Sequence, residues 1–130
     1  MNEKSNEFAG TRILIVEDNP INQVVTKENL EKVGCQVDMV GSGKEALVLI
    51  PDNTYDFIFM DIQMPDMDGY EATKQIRAKE KNGKKTLIIA LTANVTPEDR
   101  EKCFQAGMDD YIPKPIELNT LANMLRKHSN

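Results

Sequence analysis

The amino-acid sequence predicts a doubly wound α/β domain, a (βα)5 chain whose five strands form one parallel sheet. Three observations predict it. Short β-branched or aromatic runs recur five times; helix-like stretches with their own start and stop signals separate them; and three of the runs are apolar almost without interruption. Unbroken apolar runs are how strands buried on both faces read, and strands separated by helices run parallel with right-handed crossovers.

The elements follow in order. Ile13-Leu14-Ile15-Val16 is the first strand. Residues 20–33 read as a helix, with Ile21, Val24 and Val25 on one face and Leu30 and Val33 off it. A helix packed on two sides would account for that pattern. Gly34 stands where a C-cap glycine belongs. Val37 to Val40 is the second strand. Ser42, with Glu45 three residues on, is a capping box, and Pro51 ends the helix it starts. Phe57-Ile58-Phe59-Met60 is the third strand. Asn82-Gly83 is flanked by lysines rather than alternating apolar residues, so it reads as a loop and not a hairpin. Leu87-Ile88-Ile89-Ala90-Leu91 is the fourth strand. Thr96-Pro97-Glu98-Asp99 supplies an N-cap, a proline at the first helical position and acids in the first turn of a helix over 97–106, with Gly107 as its C-cap. Tyr111-Ile112 is a weaker fifth strand. Leu118, Leu121 and Leu125 put an apolar stripe on a last helix over 117–127.

Bulk properties exclude several classes. The 130 residues suit one domain; 40% are hydrophobic and 28% charged, which allows a core and argues against disorder. A net charge of −5 makes direct nucleic-acid binding unexpected. No apolar run is long enough to span a membrane, and the N-terminus lacks the apolar stretch of a signal peptide, so a cytoplasmic protein without membrane contact is expected. Residues 1–11 are expected to be a flexible N-terminal tail, 12–127 the domain and 128–130 a C-terminal tail. No linker, repeat or second domain is expected. Cys35 and Cys103 lie in no metal-ligand spacing and read as buried free thiols of a reducing compartment.

In such a sheet, ligands bind beyond the carboxyl ends of the strands. Glu17-Asp18 ends strand one, Asp61 ends strand three, Thr92 ends strand four and Lys114 lies just past strand five. Each has an ordinary explanation when taken alone. Asp18 could cap the following helix, Thr92 could be a strand-end hydroxyl, Lys114 a surface lysine and Tyr111 half-buried packing. Their convergence on one rim is what points to a site. Three carboxylates about 5 Å apart repel by about 3 kcal/mol per pair at an effective dielectric of about 20. One lysine does not neutralise three carboxylates. An all-oxygen shell suits a divalent cation, Mg²⁺ (or Mn²⁺), which also bridges phosphate oxygens.

These residues resemble a known family. The acidic pair in Ile15-Val16-Glu17-Asp18-Asn19 resembles the metal-binding pair of response-regulator receiver domains. Asp61-Ile62-Gln63-Met64-Pro65-Asp66-Met67-Asp68-Gly69 resembles their phospho-acceptor segment, Leu91-Thr92-Ala93 their switch hydroxyl, and Tyr111-Ile112-Pro113-Lys114-Pro115 their aromatic switch and lysine. The likeness covers about residues 11–127, and its wording is most similar to receivers carried by hybrid sensor histidine kinases. It implies a flavodoxin-like sheet of order 2-1-3-4-5 and a cis Lys114-Pro115 bond. It implies a domain of a two-component or phosphorelay system in which Asp61 accepts a phosphoryl group from phosphohistidine. Asp18 and Asp61, with the backbone carbonyl of Gln63 and with Glu17 acting mostly through water, would hold Mg²⁺. Thr92 and Lys114 would bind phosphoryl oxygens. Thr92 and Tyr111 would switch a protein-interaction face made by strand five and the two helices beside it. The implied partners are a histidine kinase or a histidine phosphotransfer domain, with a homodimer through the strand-five face as a further possibility. Gln63 and Asn94 occupy the two positions that tune phosphoryl lifetime in the family. Glu17 stands where Asp is commoner, and Ile116 where Phe often follows Lys-Pro.

No activity on an external substrate is expected, since the domain would support only its own phosphorylation and dephosphorylation. The alternatives are an aspartyl-phosphate hydrolase, for which no pocket or lid is apparent, and a phosphorylation-independent protein-binding module, against which the intact acidic set argues. A flavin site would need a phosphate-cradling loop where Glu17-Asp18 stands. A P-loop at Gly41-Ser42-Gly43-Lys44 fails on Asp38 and Glu45, and an EF-hand at Asp66-Met67-Asp68-Gly69 fails on Met64 and Gln75.

Overall fold

The computed structural model describes residues 7–64, 67–80, 86–93 and 96–128. Along the chain run β1 (Arg12–Val16), α1 (Pro20–Lys32), β2 (Gln36–Val40), α2 (Gly43–Leu49), a 3-10 turn (Ile50–Asp52) and β3 (Phe57–Asp61). Then follow α3 (Gly69–Lys79), β4 (Leu87–Thr92), α4 (Pro97–Ala106), β5 (Asp110–Pro113) and α5 (Leu118–His128). The five strands are parallel, in the order β2-β1-β3-β4-β5. The expected fold class and strand order are both observed. Asn82-Gly83 and Asn94 lie outside the described residues.

The three unbroken apolar runs are the three central strands. β3 is buried at every residue, and β1 and β4 at all but the first, whereas β2 and β5 form the sheet edges and alternate. The two-residue period of the strands divides the core. Ile13, Ile15, Phe57, Phe59, Ile89 and Leu91 face Leu30 of α1 and Leu121 and Leu125 of α5. Leu14, Val16, Ile58, Met60, Ile88 and Ala90 face Ala46, Ala72, Ile76 and Cys103 of α2, α3 and α4. Cys35 and Cys103 are buried free thiols, as expected.

Helix starts follow their caps. Ser42 Oγ accepts from Glu45 N, and Thr96 Oγ1 accepts from Asp99 N, both at 3.1 Å. Gly107 closes α4 at φ 107°, a left-handed conformation that side-chain-bearing residues rarely adopt.

Two expectations need correction. α1 is not packed on two sides: Thr26, Leu30 and Val33 are buried, but Ile21 is 73% exposed, Val24 50% and Val25 45%. The misread face is an apolar strip open to solvent. The loose tail expected over 1–11 does not extend over residues 7–11. Phe8 lies in the core, its backbone N–H donates to the Val33 carbonyl, and Glu7 forms a two-pronged ion pair with Arg126 of α5. One apolar side chain in a polar stretch was enough to anchor it. Among the described residues, no helix is long and apolar enough to cross a membrane.

Candidate functional site

Strand register builds the site. In the β1–β3 ladder Ile15 lies opposite Phe59 and Val16 opposite Met60. Glu17 and Asp61 are the next residues along each strand, and both fall on the face that carries Ile15 and Phe59. Two adjacent parallel strands thus end in acids side by side. Both side chains are only 2% exposed, while Asp18 is exposed at the rim. One carboxylate oxygen each from Glu17, Asp18 and Asp61 lies within 4.8 Å of the others.

Lys114 reaches in from the β5–α5 loop. Its Nζ is 3.1 Å from Asp61 Oδ1 and 3.8 Å from Glu17 Oε1. Its backbone N–H donates to the Thr92 carbonyl at 2.8 Å, which ties the loop to the end of β4. The Lys114-Pro115 bond is cis, as expected. Thr92 is buried at the end of β4. Tyr111, two residues upstream of Pro113 on β5, is half-buried against the α2–α4 side of the core.

The electrostatics are unbalanced. Glu17 Oε2 accepts from Asn19 N at 3.1 Å, but Oε1 is buried and accepts no hydrogen bond. Burial, and next the neighbouring Asp61, push the Glu17 carboxyl up to about 7, although the Asn19 N–H and Lys114 oppose the shift. A buried carboxylate oxygen without a donor, in a cluster of three acids facing one lysine, is the environment a hard cation completes. The donor set is all oxygen, so the residues present fit Mg²⁺.

The segment after Asp61 is held by backbone. Gln63 N donates to Asp61 Oδ1 at 3.1 Å, and Gly69 N to the Ile62 carbonyl at 3.0 Å. A Cβ on Gly69 would stand 2.5 Å from the Asp61 carbonyl oxygen and 2.9 Å from Ile62 Cα. Only glycine lets the start of α3 approach the acid so closely.

A family model of the response regulator receiver domain matches residues 13–126. The chain belongs to this family. The receiver domain is 47% identical over 122 residues to hybrid signal transduction histidine kinase L of Dictyostelium discoideum. That match covers 90% of this chain and 7% of the relative. It is 37% identical over 147 residues to probable histidine kinase 1 of Oryza sativa subsp. indica, covering 90% of this chain and 15% of the relative. The chain thus spans less than a sixth of the length of these curated relatives. Among solved structures it resembles the receiver domain of sensor histidine kinase PA1611 of Pseudomonas aeruginosa, which holds a magnesium ion coordinated in its active-site cleft. Identity is 46%, coverage 92% of this chain and 97% of that one, and the TM-score 0.82. It also resembles the receiver domain of the Arabidopsis thaliana histidine kinase CKI1 complexed with Mg²⁺ and BeF3⁻, at 41% identity, 95% and 93% coverage and a TM-score of 0.84.

The structure thus gathers Glu17, Asp18, Asp61 and Lys114 and puts Thr92 and Gln63 beside them. Asp18 is not the cap of α1. That role belongs to Asn19, whose Oδ1 accepts from Ile21 N at 2.9 Å and Asn22 N at 3.1 Å. The Asn19-Pro20 pair, a capping residue before a proline at the first helical position, is the signal that could have shown this. Sequence reasoning also missed Gln23, which reaches the site from α1 and carries no motif of its own.

Proposed function

We propose that this receiver domain accepts a phosphoryl group on Asp61 from a phosphohistidine donor, with Mg²⁺ held by Glu17, Asp18 and Asp61 and by the backbone carbonyl of Gln63. The observation that supports it most is the convergence of three carboxylate oxygens within 4.8 Å around a buried, donorless Glu17 Oε1. When bound, Mg²⁺ supplies positive charge to the acidic pocket and to the phosphoryl oxygens.

The chain's own groups do the rest. An Asp61 carboxylate oxygen attacks phosphorus in line with the P–N bond. That bond breaks, and the imidazole leaves with its electron pair and takes a proton. Lys114 offsets charge on Asp61 before transfer and binds a phosphoryl oxygen after it. The Gln63 N–H holds the Asp61 carboxylate and the close approach of Gly69 holds its backbone, so little reorganisation is left for the reaction. The product adds about one negative charge and strong acceptor oxygens at the end of β3. Thr92 donates to one of these oxygens, and Tyr111 follows into the space Thr92 leaves. A hydrogen bond to a charged group contributes about 1.5–3 kcal/mol. Taking a two-state element from 1:99 to 99:1 needs about 5.5 kcal/mol. Phosphorylation therefore biases the switch, and a partner on the face of β5, α4 and α5 completes it. The half-exposed Phe104 of α4 supports a protein contact there, with a second copy of the domain as one candidate. The donor is a histidine kinase or histidine phosphotransfer domain, for which the exposed Ile21, Val24 and Val25 strip of α1 offers an apolar docking face near the rim.

The test is intact mass spectrometry after incubation with Mg²⁺ and a small acyl-phosphate or phosphoramidate donor. A gain of one phosphoryl group is expected, lost in Asp61→Asn and lost with a chelator. No gain in the wild type, under conditions that label another receiver domain, sinks the reading.

A further inference from the structure

The β1–β2 ladder stops at the acidic pair. Glu17 N donates to the Val40 carbonyl at 3.1 Å, and that is its last rung. Beyond Val40 the chain turns away through Gly41 to Ser42, which caps α2. The Glu17 carbonyl therefore has no strand partner on the β2 side. The side-chain amide of Gln23, in the first turn of α1, stands in the gap. Its Nε2 donates to the Glu17 carbonyl and reaches the Val40 carbonyl at 3.4 Å. Its own backbone N–H donates to the Asn19 carbonyl at 3.0 Å, so the loop from Glu17 to Gln23 is closed at both ends.

We infer that Gln23 is a positioning residue for the cation site, aiming Glu17 and Asp18 through their shared peptide. This rests on reading the acidic pocket as a Mg²⁺ site. The Glu17–Asp18 peptide is planar, so holding its carbonyl fixes both Cα positions and the starting direction of both side chains. The other restraints on the pair act elsewhere: Val40 on the Glu17 N–H, Asn19 N and Lys114 on the Glu17 carboxylate. Gln23 alone among these holds the peptide that joins the two acids. Its acceptors are backbone carbonyls at a partly exposed edge, where water can replace the lost donors. Removing the amide therefore loosens the acids far more than it destabilises the fold.

The test is Gln23→Met, which keeps the side chain's length and removes both donors. The chain has no Trp, so Mg²⁺ binding is followed by ¹⁵N NMR shifts of the Glu17 and Asp18 amides. The Mg²⁺ Kd is expected to rise about ten- to a hundredfold, the usual consequence of losing a group that orients a metal ligand. The thermal midpoint without cation is expected to stay within about 4 °C of wild type. In the wild type, the Gln23 side-chain amide signals are expected to move during the Mg²⁺ titration with the same midpoint as the Asp18 amide. Unchanged affinity in Gln23→Met overturns the inference while leaving the cation site intact. If the variant does not fold, the wild-type titration decides, and a Gln23 amide that stays still while Asp18 moves overturns the inference. A wild type that shows no Mg²⁺-dependent shift overturns the cation reading, and this inference with it.

Discussion

Among the described residues, Lys114 is the one cation paired with Glu17 and Asp61, reaching them from the β5–α5 loop with Nζ 3.1 Å from the latter. Both acids are nearly inaccessible to water, so the lysine restrains their repulsion whenever no metal is bound. Lys114→Ala should still be labelled on Asp61 in the presence of Mg²⁺, but slowly, because the metal supplies most of the charge. The response of partner binding to phosphorylation should disappear, because no group then ties the phosphoryl oxygen to the loop after β5. Partner affinity measured with and without donor checks this, and an undiminished response in the variant would show that Lys114 has no part in switching. Asp61 and Lys114 were both legible from sequence, because a charged residue directly after an apolar strand run is conspicuous. Gln23 was not. A glutamine on a helix is ordinary until the fold shows which carbonyl it meets.

At the scale of elements, α3 is bolted to the far end of the sheet by Arg77. Its guanidinium donates to the carbonyls of Thr86 at 2.7 Å and Gly107 at 2.9 Å, and pairs with Asp109 at 2.7 Å and Glu80 at 3.1 Å. One planar fork thereby joins the end of α3, the start of β4 and the loop between α4 and β5. Arg77→Met takes the guanidinium from those mostly buried partners, although Asp109 Oδ2 keeps the Ile88 N–H and Glu80 Oε2 the Thr86 N–H, and should cost about 3 kcal/mol in urea unfolding. Arg77→Lys should recover little of it, since one ammonium cannot span four partners in three directions. Mg²⁺ affinity should be unchanged in both variants, because the site is at the opposite strand ends. Helix bounds and caps were largely readable beforehand, from Ser42, Thr96 and Gly107. Which face of α1 is buried was not, because Ile21, Val24 and Val25 are as apolar as Leu30 and Val33. Only the packing of α1 against β1, β2 and α5 chose between them.

For the whole molecule, the acid side of stability is where the charges show. Asp110 is buried at the start of β5. Burial alone would raise its pKa, but Lys127 Nζ at 2.8 Å, His128 Nε2 at 3.0 Å and the Tyr111 N–H at 2.9 Å together hold it below the usual value. A carboxyl depressed in the folded state contributes stability that is full above its unfolded value, about 3.9, and is lost as the pH falls through the folded value. The domain should therefore lose stability below about pH 4 partly through this residue. Asp110→Asn should flatten the fall in urea midpoint with acidification, and a parallel fall in wild type and variant would remove Asp110 from the account.

The sequence by itself determined the alternation of strands and helices, the three central strands, the acids at the ends of two of them and the lysine just past the fifth strand. Those features are local: an apolar run, a cap or a charge after a strand is written in neighbouring residues. The tertiary structure decided the rest because it depends on register and on contacts between distant segments. Register set Glu17 beside Asp61, the closeness of α3 to Asp61 made Gly69 indispensable, and Phe8 turned an apparent tail into core. The same register ended the β1–β2 ladder at Glu17 and left its carbonyl for Gln23 to hold.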